Sequence, residues 1–396
     1  MMKLIKIVLF GVSLQSANKG CEALAYSLFT ILNDILRRHD MRARVYSVIY
    51  VPKGEALDRD MTAFDHIDHV FLPNRKRSLG AQRAIAIAVL DADLCIDMTE
   101  GDSFSDIYGS GRFYWRTVEK AFVLLCGKKL ILGPQTYGPY RSVNARRFAA
   151  WVLRRAWCVC TRDEPSAALV KEISGRTAYV STDIAFDLPA DAVKPLESKG
   201  NRIGINVSGL LWNGGYTGNN QFGLTVDYRE YTTRLIDWCL EEGMEVWLIP
   251  HVIMTPKCGD PENDYAVCLM LQREYPQCRL ICDLSTPMSI KGAISQMDVF
   301  VGARMHAVIG ALSVGVPAIP FAYSKKFGDL FGSIGYPCLI DGRTLSTNEA
   351  LKKTCSMIEE APALKQTIDR TGNTIRERID GFIEILDSCL SDGVLK

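Results

Sequence analysis

No stretch of this 396-residue sequence is apolar and unbroken for long enough to cross a membrane. The longest apolar-looking stretch, Ala307 to Tyr323, is interrupted by Gly310, Ser313, Gly315, Pro317 and Pro320, which fits a helix, a turn and a strand instead. Blocks of like charge are missing too. The 46 basic and 45 acidic residues leave a formal charge of +1, so the electrostatic footprint of a nucleic-acid binder is absent and nucleic acid is not an expected partner. Thirteen cysteines include no C-x2-C pair; the nearest spacings, Cys158-x-Cys160 and Cys278-x3-Cys282, do not make a zinc site, and no metal or redox cofactor is expected. Cysteines in apolar runs, such as Cys95, Cys126 and Cys158, act as small hydrophobes, a usage that fits a reducing cytoplasm. The glycines after the first apolar run, Gly11 and Gly20, match neither the dinucleotide nor the Walker fingerprint. Histidine is scarce, with five in the chain, and only His251 and His306 follow predicted core strands.

What is present is ample core material, 48% of the residues being apolar, arranged as short apolar runs alternating with amphipathic stretches. That alternation predicts βα units around parallel sheets. Strands are expected near 3–10, 43–49, 67–72, 93–97, 129–133, 157–161 and 178–181, with helices near 22–38, 79–90, 112–126, 143–155 and 164–173. Met1 to Gly11 reads as the first strand and not as a signal peptide, because Lys6 breaks a short apolar core. Between Asp187 and Asn201 the chain turns polar, with Pro189, Pro195 and Gly200, and this is the expected linker. The second half repeats the pattern: strands near 202–208, 244–250, 279–282, 298–301 and 317–321, helices near 228–242, 262–275, 287–295 and 304–314, and a long helix from about 346. The expected fold class is α/β: two Rossmann-like domains with parallel sheets facing across a cleft, residues 1–188 and 200–396, the last helix returning toward the N-terminal domain. The glycine-rich loop Trp212 to Gly223 is expected to be a lid or an acceptor-binding loop.

The most informative segment is Gly302-Ala303-Arg304-Met305-His306-Ala307, continuing through Gly315-Val316-Pro317 to Tyr323-Ser324-Lys325-Lys326. It places Arg304 and His306 at a strand-to-helix junction, where ligands bind in open α/β sheets, and the next strand delivers Tyr323, Lys325 and Lys326 to the same rim. A cation beside an imidazole handles an anion and a proton together. The plain reading, a surface arginine and a core histidine, is the alternative. In the first half, Asn18-Lys19-Gly20-Cys21-Glu22 opens a helix, and Asn18 and Glu22 are candidates for sugar hydroxyls. Asp97 runs into Glu100, Asp102 and Asp106; Glu100 and Asp102 are site candidates and Asp106 a helix cap. Gln135 is held by the turn Gly133-Pro134 to Gly138-Pro139, Arg162 is placed to face the cleft, and Asp163 or Glu164 caps the following helix.

These segments, in this order, resemble the polysaccharide pyruvyl transferase family over nearly the whole chain: Asn18 to Ala23, Gly133-Pro134-Gln135 with Gly138-Pro139, Arg162-Asp163-Glu164-x-Ser166, Thr182-Asp183, Pro250-His251-Val252, and Gly302 to His306 with Gly315-Val316-Pro317 and Tyr323-x-x-Lys326. Met98-Thr99-Glu100-Gly101-Asp102 departs from the glycine-rich turn usual after the fourth strand, which implies an altered acceptor site. The resemblance implies a GT-B-like fold and transfer of a pyruvate ketal from phosphoenolpyruvate to a sugar of a cell-surface polysaccharide or its lipid-linked precursor. Phosphoenolpyruvate would be a co-substrate, with no cofactor, and the enzyme cytoplasmic, peripheral to the membrane through its acceptor. Arg304 and His306 would be catalytic at the donor site, with Arg162, Lys325 and Lys326 binding the donor's anionic groups. Asn18, Gly20, Glu22, Glu100, Asp102, Gln135 and His251 would serve the acceptor. The alternatives are a nucleotide-sugar-dependent GT-B glycosyltransferase or sugar epimerase, and a non-catalytic glycan- or anion-binding protein of the same fold.

Overall fold

A computed structural model describes residues 4–50, 60–75, 78–196, 201–255, 259–282 and 284–392. Residues 1–3 of the expected first strand and 197–200 of the expected linker lie outside these. The chain divides into two compact units, one formed by residues 1–15, 24–184 and 375–396, the other by 16–23 and 185–374.

The first unit is built on a seven-stranded sheet of β1 (Leu4–Phe10), β2 (Arg42–Ile49), β3 (Ile67–Pro73), β4 (Leu94–Asp97), β5 (Leu130–Gln135), β6 (Cys158–Thr161) and β7 (Tyr179–Val180), in the order β3-β2-β1-β4-β5-β6-β7. Every pairing is parallel. Parallel strands buried on both faces need continuous apolar sequence, and β1 supplies it: Ile5, Ile7, Val8 and Leu9 are fully buried. The helix Lys19–Arg38 covers the sheet with Leu24, Leu28, Phe29, Leu32, Ile35 and Leu36, a helical spacing, while Arg37 and Arg38 stand in its last turn, where the dipole favours cations. Truncating a side chain such as Leu28 to Ala would cost about 2–5 kcal/mol.

The second unit repeats the topology. Its sheet runs β10-β9-β8-β11-β12-β13 with β8 (Arg202–Asn206), β9 (Glu245–Leu248), β10 (Arg279–Leu280), β11 (Val299–Gly302), β12 (Ala318–Ala322) and β13 (Ile340–Asp341), again parallel throughout. The strand order reverses between β8 and β11, so the carboxyl ends of these two strands flank the switch point at which α/β sheets bind ligands.

One boundary differs from the sequence expectation. Ser16–Ala23 groups with the second unit because its backbone is pinned there: Lys19 N–H donates to the His251 carbonyl at 3.0 Å, Ile253 N–H to the Ala17 carbonyl at 2.9 Å, and Asn18 bridges Val252. The long helix Ala361–Asp392 contributes its residues from Ile375 onward to the first unit, where the Arg378 carbonyl accepts from Tyr179 and Ser181 hydroxyls. Among the described residues no helix is long and apolar enough to cross a membrane, and the described cysteines are all free thiols.

Candidate active site

In the second unit, β11 ends at Gly302 and the helix Met305–Ser313 begins three residues later, with Arg304 at its N-cap in an extended conformation. Asn206, the last residue of β8, ties the switch point together. Its side-chain oxygen accepts the Arg304 N–H at 2.9 Å and its amide donates to the Ile249 carbonyl beyond β9 at 2.9 Å.

The Arg304 guanidinium is 7% exposed and is already occupied. Nε lies 3.2 Å from both Asp264 oxygens, Nη2 lies 2.8 Å from Asp264 Oδ1, and Glu262 takes two further bonds through its carboxylate and its carbonyl. Burial disfavours its charge, but the Asp264 carboxylate outweighs this and holds the guanidinium more firmly protonated than usual. Asp264 also accepts the backbone N–H groups of Gly209, His251 and Val252. It therefore ties the segments that follow β8 and β9 to the arginine. Tyr216, in the glycine-rich loop, has its hydroxyl pushed up by burial and then by Glu262. That loop is a set of hydrogen-bonded turns, with Gly214 N–H on Leu211, Gln221 N–H on Gly214, and Tyr216 N–H on the Gln221 side chain.

His306 occupies the first turn of the same helix. Gly20 allows its approach: a Cβ on Gly20 would lie 2.3 Å from His306 Nδ1, so any larger residue would have to displace the ring. His251 is buried beside this pair, and its ring is held well below the ordinary imidazole range by burial, then by His306, Arg304 and Lys19. Lys291, whose ammonium donates to the carbonyls of Phe186 and Leu188, is pushed down to about 8 by burial. On the neighbouring strand, β12 leads into the helix Lys325–Ser333, which puts exposed Lys325 and half-buried Lys326 in its first turn.

Asn18, Gly20 and Glu22, expected on the N-terminal domain, thus stand with Arg304, His306 and His251 in the second unit. Their polar groups are committed locally. Asn18 Oδ1 accepts the Gly20 N–H at 3.0 Å, and buried Glu22 accepts Lys19 Nζ at 3.0 Å and the Ser16 N–H at 2.7 Å.

Glu100, Asp102, Gln135 and Arg162 lie in the first unit, at the carboxyl ends of its strands. Arg162, expected at the donor, is buried and paired there: Nη1 meets Asp183 at 2.9 Å and Nε meets Thr136 at 2.7 Å. Asp97 pairs with Lys120 at 2.9 Å, both buried, and Gln135 donates to the Asp97 carbonyl. Asp102 accepts the Tyr108 hydroxyl at 2.9 Å. Thr99 and Glu100 both adopt left-handed backbone, φ 40° and 53°, a conformation costly for non-glycine residues and characteristic of functional sites. Glu100 pairs with Arg112 and, at 2.9 Å, with Arg116. These side chains line a cavity of about 390 Å³ with Tyr50, Asn74 and Trp115. Asp106 accepts the N–H groups of Arg141 and Ser142, and Asp163 caps the helix Glu164–Ser174.

Sequence reasoning misses Asp264, Asn206, Glu262, Lys291 and Tyr216, which reach the site from elements distant in the chain. Among the described residues no group of three or more His, Cys, Asp or Glu stands close enough together to hold a metal ion.

The family model described as polysaccharide pyruvyl transferase matches residues 18–325. No curated protein is similar in sequence at a significant level. Solved structures share the fold at low identity. A protein described as a UDP-N-acetylglucosamine 2-epimerase from Listeria monocytogenes superposes with a TM-score of 0.62 at 11% identity, covering 99% of this chain and 98% of its own. A glycosyltransferase from Rickettsia africae gives 0.59 at 8% identity, with 97% and 99% covered. A UDP-GlcNAc 2-epimerase from Neisseria meningitidis, bound to UDP-GlcNAc, gives 0.57 at 12%, with 97% and 100% covered. The two parallel-sheet units are therefore those of a GT-B fold.

Proposed function

From a chain that belongs to the polysaccharide pyruvyl transferase family, we propose an enzyme that transfers pyruvate from phosphoenolpyruvate onto a sugar of a cell-surface polysaccharide or its lipid-linked precursor, as a ketal. The observation that carries this reading is the placement of His306 and Lys326 in the first turns of two helices that follow the adjacent parallel strands β11 and β12. An imidazole and an ammonium at neighbouring helix N-termini suit a substrate that is an anion and must receive a proton.

The chemistry assigns each group a task. His306 gives a proton to the donor's methylene carbon, and C2 gains oxocarbenium character. One sugar hydroxyl attacks C2, the phosphate C–O bond breaks, and a second hydroxyl closes the ketal. Two hydroxyl protons are released and one is taken up by the methyl group, so the remaining one leaves on the phosphate. Lys326 and the uncapped amides of the helix Met305–Ser313 neutralise phosphate and carboxylate. Arg304 takes a supporting part, because its charge is matched by Asp264 and Glu262. The first-unit cavity with Trp115, Tyr50 and Glu100 offers an aromatic face and a carboxylate, the usual grips on a sugar ring. We place the enzyme in the cytoplasm, drawn to the membrane by a lipid-linked acceptor, and expect no resident cofactor.

The test is phosphate release from phosphoenolpyruvate with a panel of lipid-linked and synthetic glycosides, together with the melting temperature in the presence of phosphoenolpyruvate, UDP-sugars and GDP-sugars. Phosphate release and a melting shift specific to phosphoenolpyruvate are expected. A shift with a nucleotide sugar alone would replace this reading with a nucleotide-sugar transferase or epimerase.

A further inference from the structure

His251 stands just beyond β9, 4% exposed, with its backbone clamped on both sides. Its N–H donates to Asp264 at 3.2 Å, and its carbonyl accepts from Lys19 at 3.0 Å. Ring atom Nδ1 is buried and meets no hydrogen-bond partner among the described residues. His251 and His306 line one cavity with Lys291, Ala23, Ile290 and Gly310. Its free volume is about 10 Å³, room for one water at most. Neither a sugar nor an enolpyruvyl group enters such a space, so a substrate would meet half-buried His306 from outside it, and the acceptor role expected of buried His251 has no room within it.

We propose that His251 is the positioning residue of His306: its neutral ring accepts a hydrogen bond, directly or through one water, from the protonated His306 and keeps that proton ready for transfer. This rests on the phosphoenolpyruvate reading. The charges around the pair explain why a neutral acceptor is needed. Lys19 approaches from the first helix with its carboxylate Glu22, and Arg304 from the N-cap with Asp264 and Glu262. Lys291 lines the same cavity, its ammonium on the carbonyls of Phe186 and Leu188 and within the field of Asp187. These carboxylates are engaged by their own cations. Burial and the surrounding cations keep the His251 ring uncharged, and an uncharged imidazole has one nitrogen lone pair to offer.

Two substitutions and one spectroscopic titration test this. His251→Phe keeps a ring and removes the acceptor, whereas His251→Gln keeps a side-chain oxygen that accepts. ¹⁵N-histidine NMR follows all five imidazoles without any substrate, and His306→Ala identifies the His306 signal. In His251→Phe the His306 titration is expected to move about one unit toward acid, carrying the alkaline limb of kcat with it. Turnover near neutrality should fall about tenfold with the KM for phosphoenolpyruvate little changed, and His251→Gln should recover most of the loss. A His306 titration in His251→Phe that superimposes on the wild type, with only a lower melting temperature, would overturn the proposal and leave His251 a packing residue. Should His251→Phe not fold, the wild-type spectrum decides: a neutral His251 throughout the titration of His306 supports the proposal, and a His251 that charges first sinks it. If the wild type releases no phosphate from phosphoenolpyruvate, the functional reading fails, while the NMR comparison still decides whether the rings are coupled.

Discussion

Arg304 and Asp264 form a buried forked ion pair, with Nε 3.2 Å from each carboxylate oxygen and Nη2 2.8 Å from Oδ1, across forty residues of sequence. The arginine that the sequence offers as the donor's anion receptor is thereby matched in charge before any substrate arrives. A guanidinium so committed has little left to give a phosphate. It ties the strand-to-helix junction on which His306 stands to Asp264 and, through its own N–H, to Asn206.

Arg304→Ala is therefore expected to act first on stability. Removing one partner of a buried pair strands the other, and Asp264 is fully buried, so a loss of about 3–5 kcal/mol is expected in denaturant unfolding. Asp264→Ala should lose a similar amount, and the double variant less than the sum. If Arg304→Ala melts normally and only phosphoenolpyruvate affinity suffers, the arginine is a donor ligand after all.

Gly20→Ala offers a test that does not touch the imidazole itself. A Cβ at this position would stand 2.3 Å from His306 Nδ1, and a ring must shift to admit it. Displacement of a reacting group by about 1 Å can cost on the order of 10²-fold in rate. Turnover in Gly20→Ala is expected to fall by about that factor while circular dichroism stays unchanged. Wild-type turnover would mean that the ring is free to move aside or takes no part.

How much of this was legible follows from the range of each interaction. The βα alternation marks the strands because parallel strands need uninterrupted apolar runs, but two-residue β13 leaves no such mark. The helix Lys325–Ser333 is missed because Gly328 and Gly332 weaken its propensity; buried Phe327, Leu330 and Phe331 hold it through tertiary packing. Likewise the helix expected from about 346 is two, Thr347–Glu359 and Ala361–Asp392. At the site, Arg304 and His306 are visible because the strand-to-helix junction is local. Asp264 and Asn206 are not, since nothing near them in sequence announces a partner 40 or 98 residues away. The grouping of Ser16–Ala23 with the second unit rests on backbone hydrogen bonds, which carry no side-chain signature.

Lys291 gives a pH dependence with a definite sign. Burial holds its ammonium down to about 8, against 10.5 when unfolded, so the unfolded chain binds more protons between these values and stability rises with pH across that window. The burden is fully present below about 8 and gone above 10.5. Lys291→Met removes the titrating group, so its stability relative to the wild type should decline from about pH 7 to about pH 10, by up to roughly 3 kcal/mol. A constant difference across this range would mean that the lysine is not held in a charge-disfavouring site.

His306 and Lys326 should separate cleanly in kinetics although they serve one substrate. His306→Ala removes the proton donor, and loss of a general acid lowers turnover by roughly 10²–10⁴ while leaving the substrate's charged groups their partners. Lys326→Met instead removes a point charge from the first turn of its helix, where a charge-assisted contact is worth about 1.5–3 kcal/mol, so affinity for phosphoenolpyruvate should weaken on the order of tenfold to a hundredfold. Binding is read from the melting shift with phosphoenolpyruvate, and turnover from phosphate release at saturating donor. The melting shift should survive in His306→Ala and shrink in Lys326→Met. If both variants lose the shift equally, the imidazole is a binding group and proton delivery must be sought elsewhere. If His306→Ala turns over normally and merely melts earlier, it is a core histidine packed on Gly20, and the catalytic reading of this junction fails.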